Sequence, residues 1–299
     1  MPLTIPCICV GSAPIIGAKA LLTFSAGVNV QIDEFDYSVE SVVAGTALGG
    51  AVNADAAVRA STFSLFAMDG NPSVTKKYNT STKVVTAGAN LQIGLQDTPG
   101  FGSSSTLAFF IGSGNPTIAN SSSYTFATDA VAQITDLLTA RRGQAAVSNG
   151  TSLYNAGGDQ GAGGVTVIDK YSFSNGGRAT LAATLSAGKT RFDGGAQTVA
   201  FGIYPGGATA NGAASAGTAT IDKITFATEA RSAGTALGAN ATCAGVASGA
   251  SFAIMAGAGT QVPGAATGTA INKYNWTTEA ISASAATVAA AAAAGRVGV

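Results

Sequence analysis

Apolar and polar residues alternate in short segments along the chain, separated by glycine, asparagine and serine. The clearest segment is Val167-Ile168-Asp169-Lys170-Tyr171-Ser172-Phe173. Alternation with a period of two predicts a β-strand that is buried on one side. Similar segments occur at residues 32–37, 74–78, 122–126, 221–226 and 271–276. The pattern therefore predicts six copies of the same strand.

The six copies are nearly evenly spaced. Their anchor residues, aromatic in all copies but one, stand at positions 35, 78, 124, 171, 224 and 274, in steps of 43, 46, 47, 53 and 50 residues. A fixed period of this length is typical of an array of supersecondary units. An aliphatic residue follows each anchor by thirteen or fourteen positions, and we expect it in the same place of every unit: Leu48, Leu91, Leu138, Leu185, Leu237 and Val288.

The best preserved copy, residues 141–185, shows what one unit contains. It predicts strands at 142–147, 153–156, 167–173 and 180–185, joined by turns rich in Gly, Asn and Ser. Four short strands in about 45 residues are typical of one blade of a β-propeller. We therefore predict an all-β chain that forms a six-bladed β-propeller with four-stranded antiparallel blades. Tyr171 and Phe173 share one side of their strand and should point between blades, as should Phe226 and Trp276.

The order of these motifs resembles the kelch family of propellers. Arg142-Gly143 begins the first strand, Gly157-Gly158 ends the second, and Tyr171 lies near a second aromatic residue. The glycine pair returns at Gly206-Gly207 and is weaker in the other copies. Six-bladed repeats this rich in Ala, Thr and Gly are also similar to virion proteins of tailed bacteriophages. The first resemblance implies a propeller whose loops gather on one face and bind partners there, and the second implies a place in the virion.

The two ends of the chain are predicted to complete one blade together. If each blade begins with its innermost strand, the last unit stops after that strand, and the N-terminus must supply the other three. We expect residues 5–10, 28–37 and 39–46 to be these strands, with 5–10 pairing with 296–299. The repeat predicts a single domain, 1–299, with a shared blade formed by 1–47 and 290–299. The other blades are expected at about 49–91, 92–138, 141–185, 189–237 and 240–288.

Charge and composition exclude several classes of function. Lys plus Arg and Asp plus Glu are 15 each, and charged residues make up only 10% of the chain. Nucleic acids are bound through clusters of Lys and Arg, so no nucleic-acid partner is expected. A surface poor in charge instead suits a larger oligomer. The chain has no histidine, which excludes a copper oxidase of the galactose oxidase type and Ser-His-Asp or Cys-His catalysis. We predict no cofactor and no metal site.

Three local features could carry chemistry, and each has a structural interpretation that we prefer. Asp33, Glu34 and Asp36 cluster, but aspartate recurs at the position of Asp33 in other copies, which indicates a structural hydrogen bond in each blade. Residues 183–190 match a relaxed P-loop, but the sequence after Lys189 will not begin the helix that phosphate binding requires. The three cysteines, Cys7, Cys9 and Cys243, are predicted to be small buried residues.

The connections that differ between copies are the expected binding surface. Those between the second and third strands grow from 71–73 to 112–121, 157–164, 205–217 and 256–268, and 11–27 is the longest. Long variable loops on a rigid frame are the usual sites of recognition. The few larger side chains in these loops are the predicted partner contacts: Tyr204, Pro205, Asn211, Gln261 and Pro263.

The prediction that follows is a non-enzymatic structural or binding protein. It would be a surface-exposed virion component, either a decoration of the capsid or tail or a host-attachment protein. Its partners would be other virion proteins and a host surface glycan or receptor. No secretion signal and no membrane span are expected, because proline interrupts the apolar N-terminus and no apolar run is long enough. The alternative is a carbohydrate-active propeller enzyme that uses carboxylates, and binding of sugar without hydrolysis lies between the two.

Overall fold

The computed structural model describes most of the chain at the level of individual strands. The described residues are 19–25, 30–48, 54–68, 73–95, 99–114, 117–161, 163–190, 194–209, 217–238, 245–256, 270–287 and 296–298. Within them, 24 β-strands form six four-stranded antiparallel sheets. No helix in this part of the chain has the length and apolar character needed to cross a membrane. The predicted six-bladed β-propeller with four-stranded blades is confirmed.

Five blades follow one another along the chain, and each runs from its innermost to its outermost strand. Blade 2 contains β4 (Ala54–Arg59), β5 (Phe63–Met68), β6 (Thr75–Asn79) and β7 (Val85–Ala87). Blade 3 contains β8 (Gly100–Ser103), β9 (Leu107–Ser113), β10 (Ile118–Thr125) and β11 (Val131–Gln133). Blade 4 contains β12 (Ala145–Ser148), β13 (Ser152–Ala156), β14 (Ile168–Ser172) and β15 (Arg178–Thr180). Blade 5 contains β16 (Ala196–Gln197), β17 (Phe201–Pro205), β18 (Ile221–Thr225) and β19 (Ala230–Ala233). Blade 6 contains β20 (Gly245–Ser248), β21 (Phe252–Ala256), β22 (Ala270–Asn275) and β23 (Ile281–Thr287).

Blade 1 is built from both ends of the chain. Its strand order is β24-β1-β2-β3, where β24 is Arg296–Gly298, β1 is Lys19–Ser25, β2 is Val30–Asp36 and β3 is Ser41–Ala47. Ring closure by both termini is therefore confirmed. The expected pairing partner was wrong, because β1 pairs with β24, with Thr23 opposite Val297. Residues 19–25 of the predicted 11–27 loop are thus this strand, and residues 5–10 lie outside the described part of the chain.

The innermost strands form a closed ring around the propeller axis, in the order β24, β4, β8, β12, β16 and β20. Small residues let these strands approach one another, and polar groups tie several of them together. The Ser148 hydroxyl donates to the carbonyl oxygen of Ser103 at 2.8 Å, and the Ser148 amide donates to Oε1 of Gln197 at 2.9 Å. The Gln197 amide in turn donates to the Ser248 hydroxyl at 2.9 Å. These bonds link β8, β12, β16 and β20, all of which are innermost strands.

The anchor residues of the repeat form the core between blades. Phe35, Tyr78, Tyr124, Tyr171, Ile224 and Tyr274 are all completely buried. The aliphatic column is also buried at Leu48, Leu91, Leu185 and Leu237. In blade 3, however, Leu137 is buried and the predicted Leu138 is 81% exposed. A step of thirteen residues from Tyr124, the same step that joins Tyr78 to Leu91, leads to Leu137.

Aromatic pairs connect neighbouring blades in a ladder. A residue of a second strand contacts the aromatic residue that stands two positions after the anchor of the next blade. The described pairs, with the distance between ring centroids, are Phe63 with Phe126 (5.7 Å), Phe109 with Phe173 (4.6 Å), Tyr154 with Phe226 (5.1 Å), Phe201 with Trp276 (5.7 Å) and Phe252 with Tyr37 (5.3 Å). The predicted position of Phe173, Phe226 and Trp276 between blades is confirmed.

A second ladder consists of ion pairs between blades. A residue just before the anchor of one blade meets a residue five positions after the anchor of the next. The described pairs are Lys77 with Asp129 (2.6 Å), Lys170 with Glu229 (2.6 Å), Lys223 with Glu279 (2.5 Å), Lys273 with Glu40 (2.7 Å) and, with the charges reversed, Glu34 with Lys83. Between blades 3 and 4 the described residues at these positions are Ser123 and Gly176.

The second ladder requires an unusual backbone conformation. Glu40, Lys83, Asp129, Glu229 and Glu279 all have positive φ, between 49° and 62°. Residues with a Cβ rarely adopt this conformation, whereas glycine does so readily. Gly176, with φ 67°, occupies the same position in the turn of blade 4, where no ion pair is made by the described residues. A strained backbone conformation is therefore found at non-glycine residues where their side chains form an ion pair between two blades.

Candidate functional site on the loop face

The two sides of the propeller carry different connections. The connections between second and third strands and those between blades lie on one side, which we call the loop face. The tight turns between first and second strands and between third and fourth strands lie on the other, the turn face. The ion-pair ladder uses residues of the turn face. The loop face is best described in blades 4 and 5.

The loops of blades 4 and 5 are bound to the segments that lead into these blades. The backbones of Arg142 and Asp159 exchange hydrogen bonds of 3.2 and 2.7 Å, and those of Thr190 and Ala208 exchange bonds of 2.8 and 2.7 Å. The amide of Gly158 also donates to the carbonyl oxygen of Lys189 at 2.8 Å. These bonds continue from one blade to the next, so this part of the loop face is a connected layer.

Asp159 organises the blade 4 loop from within. Its side chain is 2% exposed, and Oδ1 accepts hydrogen bonds from the amides of Gly161 (2.9 Å) and Gly163 (3.0 Å). Oδ2 lies 3.6 Å from Nε of Arg142. Immediately before it, Gly158 has φ 102°, and a Cβ there would lie 2.7 Å from the Gln144 side chain. The Gly-Gly motif is therefore needed both for its conformation and for close packing.

Buried charges lie beneath this layer in blade 4. Asp169 on β14 forms ion pairs with Arg141 and, at 3.1 Å, with Arg178, and it accepts a hydrogen bond of 2.5 Å from Thr180. The Arg141 side chain is only 2% exposed. Burial lowers the pKa of Arg141, while the charge of Asp169 opposes this shift. The predicted structural role of this aspartate is confirmed.

Blade 5 repeats the arrangement with a lysine. Nζ of Lys189 lies 2.8 Å from Oδ2 of Asp222, and both side chains are at most 1% exposed. The amide and hydroxyl of Ser186 each donate to Asp222 at 3.0 Å, and Arg231 lies 3.5 Å from Oδ1. Burial lowers the pKa of Lys189, and the hydrogen bond to Asp222 opposes this. The lysine of the P-loop-like segment is thus part of the protein core and does not face a ligand.

The acidic cluster of β2 does not form a common site. Asp33 and Glu34 are neighbours on a strand, so their side chains point to opposite faces. Glu34 contacts Lys19, Tyr78 and Lys83, whereas Asp36 accepts hydrogen bonds from Ser38. Among the described residues, no group of three or more His, Cys, Asp or Glu could hold a metal ion. Cys7, Cys9 and Cys243 lie outside the described ranges.

The structure changes which side chains belong to the candidate surface. Tyr204 is completely buried, and its hydroxyl donates to the carbonyl oxygen of Tyr154 at 3.0 Å. Pro205 is buried at the end of β17. We expected both to contact a partner, and this is corrected, because both are buried and the Tyr204 side chain packs against blade 4. Asn211, Gln261 and Pro263 lie outside the described residues.

Other residues of blades 3 to 5 are exposed on the loop face. Leu138 is the most exposed of the large hydrophobic residues in the described ranges, and Thr139, Gln160 and Thr209 are exposed as well. None of these four carries a charge. The loops of blades 4 and 5 approach each other where the Gly164 amide donates to the Thr209 carbonyl oxygen at 3.3 Å. The most exposed of these residues are therefore uncharged and lie above paired, buried charges, while the charged Asp136 and Arg142 beside them are partly buried.

The charge clusters were missed from the sequence although a signal was present. An arginine follows the third-strand aspartate by nine residues in both blades, at Arg178 and Arg231. At the same place, the other blades have Val42, Val85, Val131 and Ile281, each of which lies opposite an anchor residue. A comparison of the copies position by position would have separated blades 4 and 5 from the rest.

Comparisons with known proteins support the architecture. No protein-family model matches the chain, and no curated protein matches it. Among solved structures, the structure of YjhT is similar, with a TM-score of 0.68 and 12% identity, and the match covers 95% of this chain and 98% of that chain. The likeness is one of fold. At this identity it carries no information on activity or ligand.

Proposed function

We propose that this chain is a non-enzymatic structural and binding protein that meets its partners through the loop face. The observation that carries the proposal is the contrast between the surface and the layer below it in blades 4 and 5. The exposed residues, such as Leu138 and Gln160, are uncharged, whereas Asp159, Asp169 and Asp222 are buried and bound to donors within the fold. Such a surface suits contacts with a neutral protein or glycan surface.

The state of the carboxylates argues against the alternative of a glycoside hydrolase. That chemistry needs two carboxyl groups that flank a sugar and reach it, typically about 5–9.5 Å apart. Asp159, Asp169 and Asp222 instead accept hydrogen bonds from backbone amides, Ser186 or Thr180 and pair with Arg or Lys. Asp136, in the connection between blades 3 and 4, accepts hydrogen bonds from the Ser121 amide and the Gln133 side chain. Using one of them on a substrate would break the framework that holds its own loop.

Within this general role, we propose that the chain is a component of a virion, resembling kelch-like propellers in form. The support is compositional: a repeat rich in Ala, Thr and Gly, only 10% charged residues and equal numbers of the two signs. A propeller with few and balanced charges suits a position among neighbouring subunits. A decoration protein and a host-attachment protein would use the same loop face, one against a subunit and the other against a host surface.

Antibody labelling of purified particles tests the virion proposal directly. We expect gold label on intact particles, over the shell for a decoration protein or at the tail tip for an attachment protein. Particles that contain no such chain, by labelling and by mass spectrometry, would overturn this part of the proposal. Incubation of the purified chain with chromogenic glycosides is expected to release no product.

A matched pair of substitutions tests the use of the loop face. Leu138 and Val199 are both exposed, at 81% and 70%, but Leu138 lies on the loop face and Val199 on a turn of the turn face. We expect Leu138→Asp to reduce incorporation into particles or adhesion to host cells at least tenfold. Val199→Asp should leave both unchanged. Equal behaviour of the two variants would contradict a working loop face.

A further inference from the structure

The turn face differs from its usual pattern at the interface between blades 1 and 2. At the other five interfaces an aromatic pair lies between the blades. Here the position two residues after the anchor is Thr80, and the second strand of blade 1 begins with Lys19. Lys19 lies opposite the residue after the anchor, the register that three ladder residues have in their own blades: Phe63, Phe201 and Phe252. A cation and a hydroxyl therefore stand where other interfaces have rings.

The ion-pair ladder is also reversed at this interface. In the four other pairs of the ladder, one strand lysine meets one turn carboxylate. Here the strand residue is Glu34, and two lysines share it: Lys83 binds Oε1, and Nζ of Lys19 lies 3.2 Å from Oε2. Because both lysines bind the same carboxylate, their ammonium groups lie close together. Two positive charges thus share one negative charge.

Arg59 adds a third cation from the end of β4. Its Nη1 donates to the carbonyl oxygen of Lys19 at 3.0 Å, and it forms no ion pair with a carboxylate of the described residues. Asp36, the other carboxylate on this side of β2, already accepts hydrogen bonds from the amide (2.8 Å) and the hydroxyl (2.6 Å) of Ser38. The interface therefore contains three cations and two carboxylates, in a chain whose total charges cancel.

The cations of this interface are accessible, unlike those beneath the loop face. The side chains of Lys19 and Lys83 are 45% and 42% exposed, whereas the lysines of the other ladder pairs are 18–34% exposed. Arg59 is partly exposed. By contrast, Arg141 and Lys189 are buried against their aspartates. A ligand can therefore reach the cations between blades 1 and 2 while the fold stays closed.

We propose that the interface between blades 1 and 2 binds an oxyanion, the phosphate or carboxylate group of a partner, on the turn face. Lys19, Lys83 and Arg59 supply the positive charge, and ammonium and guanidinium groups form strong charge-assisted hydrogen bonds to such anions. Glu34 holds the two lysines in place, and Tyr78 donates to Glu34 at 2.8 Å. The site lies on the opposite side of the propeller from the loop face, so it is independent of what the loop face binds.

A titration of the isotope-labelled full chain, followed by nuclear magnetic resonance, tests the proposal. Inorganic phosphate and acetate are added separately at constant ionic strength, because salt screens exposed charges. We expect the backbone amides of Lys19, Thr80 and Lys83 to shift and to saturate at millimolar anion. A response to phosphate alone identifies a phosphate site, a response to acetate alone a carboxylate site, and a response to both a general oxyanion site. No saturable shift with either anion would overturn the proposal.

Two substitutions test the site without removing a partner of Glu34. Arg59→Gln removes one cation, and Thr80→Phe places a ring where the other interfaces have one. Each should weaken anion binding at least tenfold, with circular dichroism to confirm that the variant is folded. Lys77→Gln removes a ladder lysine that has its own carboxylate, Asp129, and should bind like the unmodified chain.

Arg59→Gln decides the matter if Thr80→Phe does not fold, since its only described hydrogen bond is to a backbone carbonyl. Binding by Arg59→Gln that equals that of the unmodified chain would overturn the proposal, as would an equal loss in Lys77→Gln. The loop-face variant Leu138→Asp should keep its anion binding. Failure of the loop-face proposal and failure of this one are therefore distinguishable.

Discussion

Blades 3 and 4 are joined differently from blades 1 and 2. Between blades 3 and 4, Phe109 and Phe173 have the closest described aromatic contact, at 4.6 Å, and the ladder positions for an ion pair hold Ser123 and Gly176. Between blades 1 and 2 the aromatic position is Thr80, and Glu34 is bound there by Lys83 and Tyr78. Each interface thus lacks one of the two ladders and relies on the other.

Packing explains why the interface of blades 3 and 4 has no charge at the turn. The Thr135 amide donates to the Gly176 carbonyl oxygen at 3.3 Å, so the two backbones approach closely. A Cβ at Gly176 would lie 2.9 Å from Cβ of Ile134. The glycine therefore allows a backbone contact that a long side chain would prevent. Equivalent positions in a repeat can accordingly hold the blades together by quite different physical means.

The largest loss of stability is expected from removing the aromatic contact between blades 3 and 4, where no ion pair of the second ladder is present. Phe173→Ala should lower the free energy of unfolding by about 3–5 kcal/mol, because it leaves a cavity between blades 3 and 4. Denaturant unfolding followed by circular dichroism measures this. Phe173→Leu keeps most of the volume and should cost clearly less. Similar losses for both variants would mean that ring packing is not what joins these blades.

At the other interface, removing the charge of Glu34 should have the next largest effect. Its side chain is only 6% exposed and accepts hydrogen bonds from Lys83, from Tyr78 at 2.8 Å and from Lys19 at 3.2 Å. Hydrogen bonds to charged groups contribute about 1.5–3 kcal/mol, so Glu34→Gln should lower the unfolding free energy by about that amount. Glu279→Gln, in a more exposed pair, serves as the comparison and should cost about 1 kcal/mol or less.

The pH dependence of stability should report the same carboxylate. Burial by itself would raise the pKa of Glu34, but the hydrogen bonds from Lys83, Tyr78 and Lys19 outweigh it, so the pKa is lowered from 4.5. A carboxyl group with a lowered pKa in the folded state stabilises the protein above its unfolded pKa, and this contribution is lost as the pH falls through the folded value. Stability should therefore decrease below about pH 4.5. Glu34→Gln should make this decrease shallower, and an unchanged curve would contradict the assignment.

A smaller loss is expected when Gly176 acquires a side chain. Gly176→Ala forces a residue with a Cβ to keep φ 67° and brings that Cβ within 2.9 Å of Ile134. We expect a loss of about 1–3 kcal/mol, the usual range for local backbone strain. Combining it with Ile134→Gly removes the Cβ and Cγ2 atoms with which the new side chain clashes but leaves the conformational cost at position 176. If the double variant lost as much as the sum of the single ones, the contact with Ile134 would play no part.

The smallest change is expected from the reverse experiment at blades 5 and 6. Glu279→Gly removes a partly exposed ion pair with Lys223. It also relieves backbone strain, because position 279 has φ 55°, which glycine adopts more readily than glutamate. The pair contributes about 0–1 kcal/mol, and the relief of the backbone is of similar size, so the melting temperature should barely move. A large loss would show that the ion-pair ladder contributes more than its exposure suggests.

The repeat could be predicted from the sequence because each copy buries an apolar residue at the same position of its third strand. The buried anchors from Phe35 to Tyr274 form one column, and their spacing led to six blades. The order of strands within one unit then led to a blade shared by both termini. Two predictions were wrong because the copies of the repeat were aligned one position or one strand out of register. Leu138 was chosen in place of Leu137, and residues 5–10 in place of β1, because a shift of one position or one strand leaves the apolar pattern similar.

The sequence by itself determined the periodicity, the strand faces and the closed ring, since alternation and spacing are properties of neighbouring residues along the chain. Only the tertiary structure decided which charges meet. Lys189 and Asp222 are 33 positions apart in sequence and Lys273 and Glu40 are 233 apart, yet both pairs are in contact. It also decided that Tyr204 is buried and that Gly176 touches blade 3. Such contacts depend on how blades pack in space, and distances in space between residues of different blades are not encoded in any local pattern.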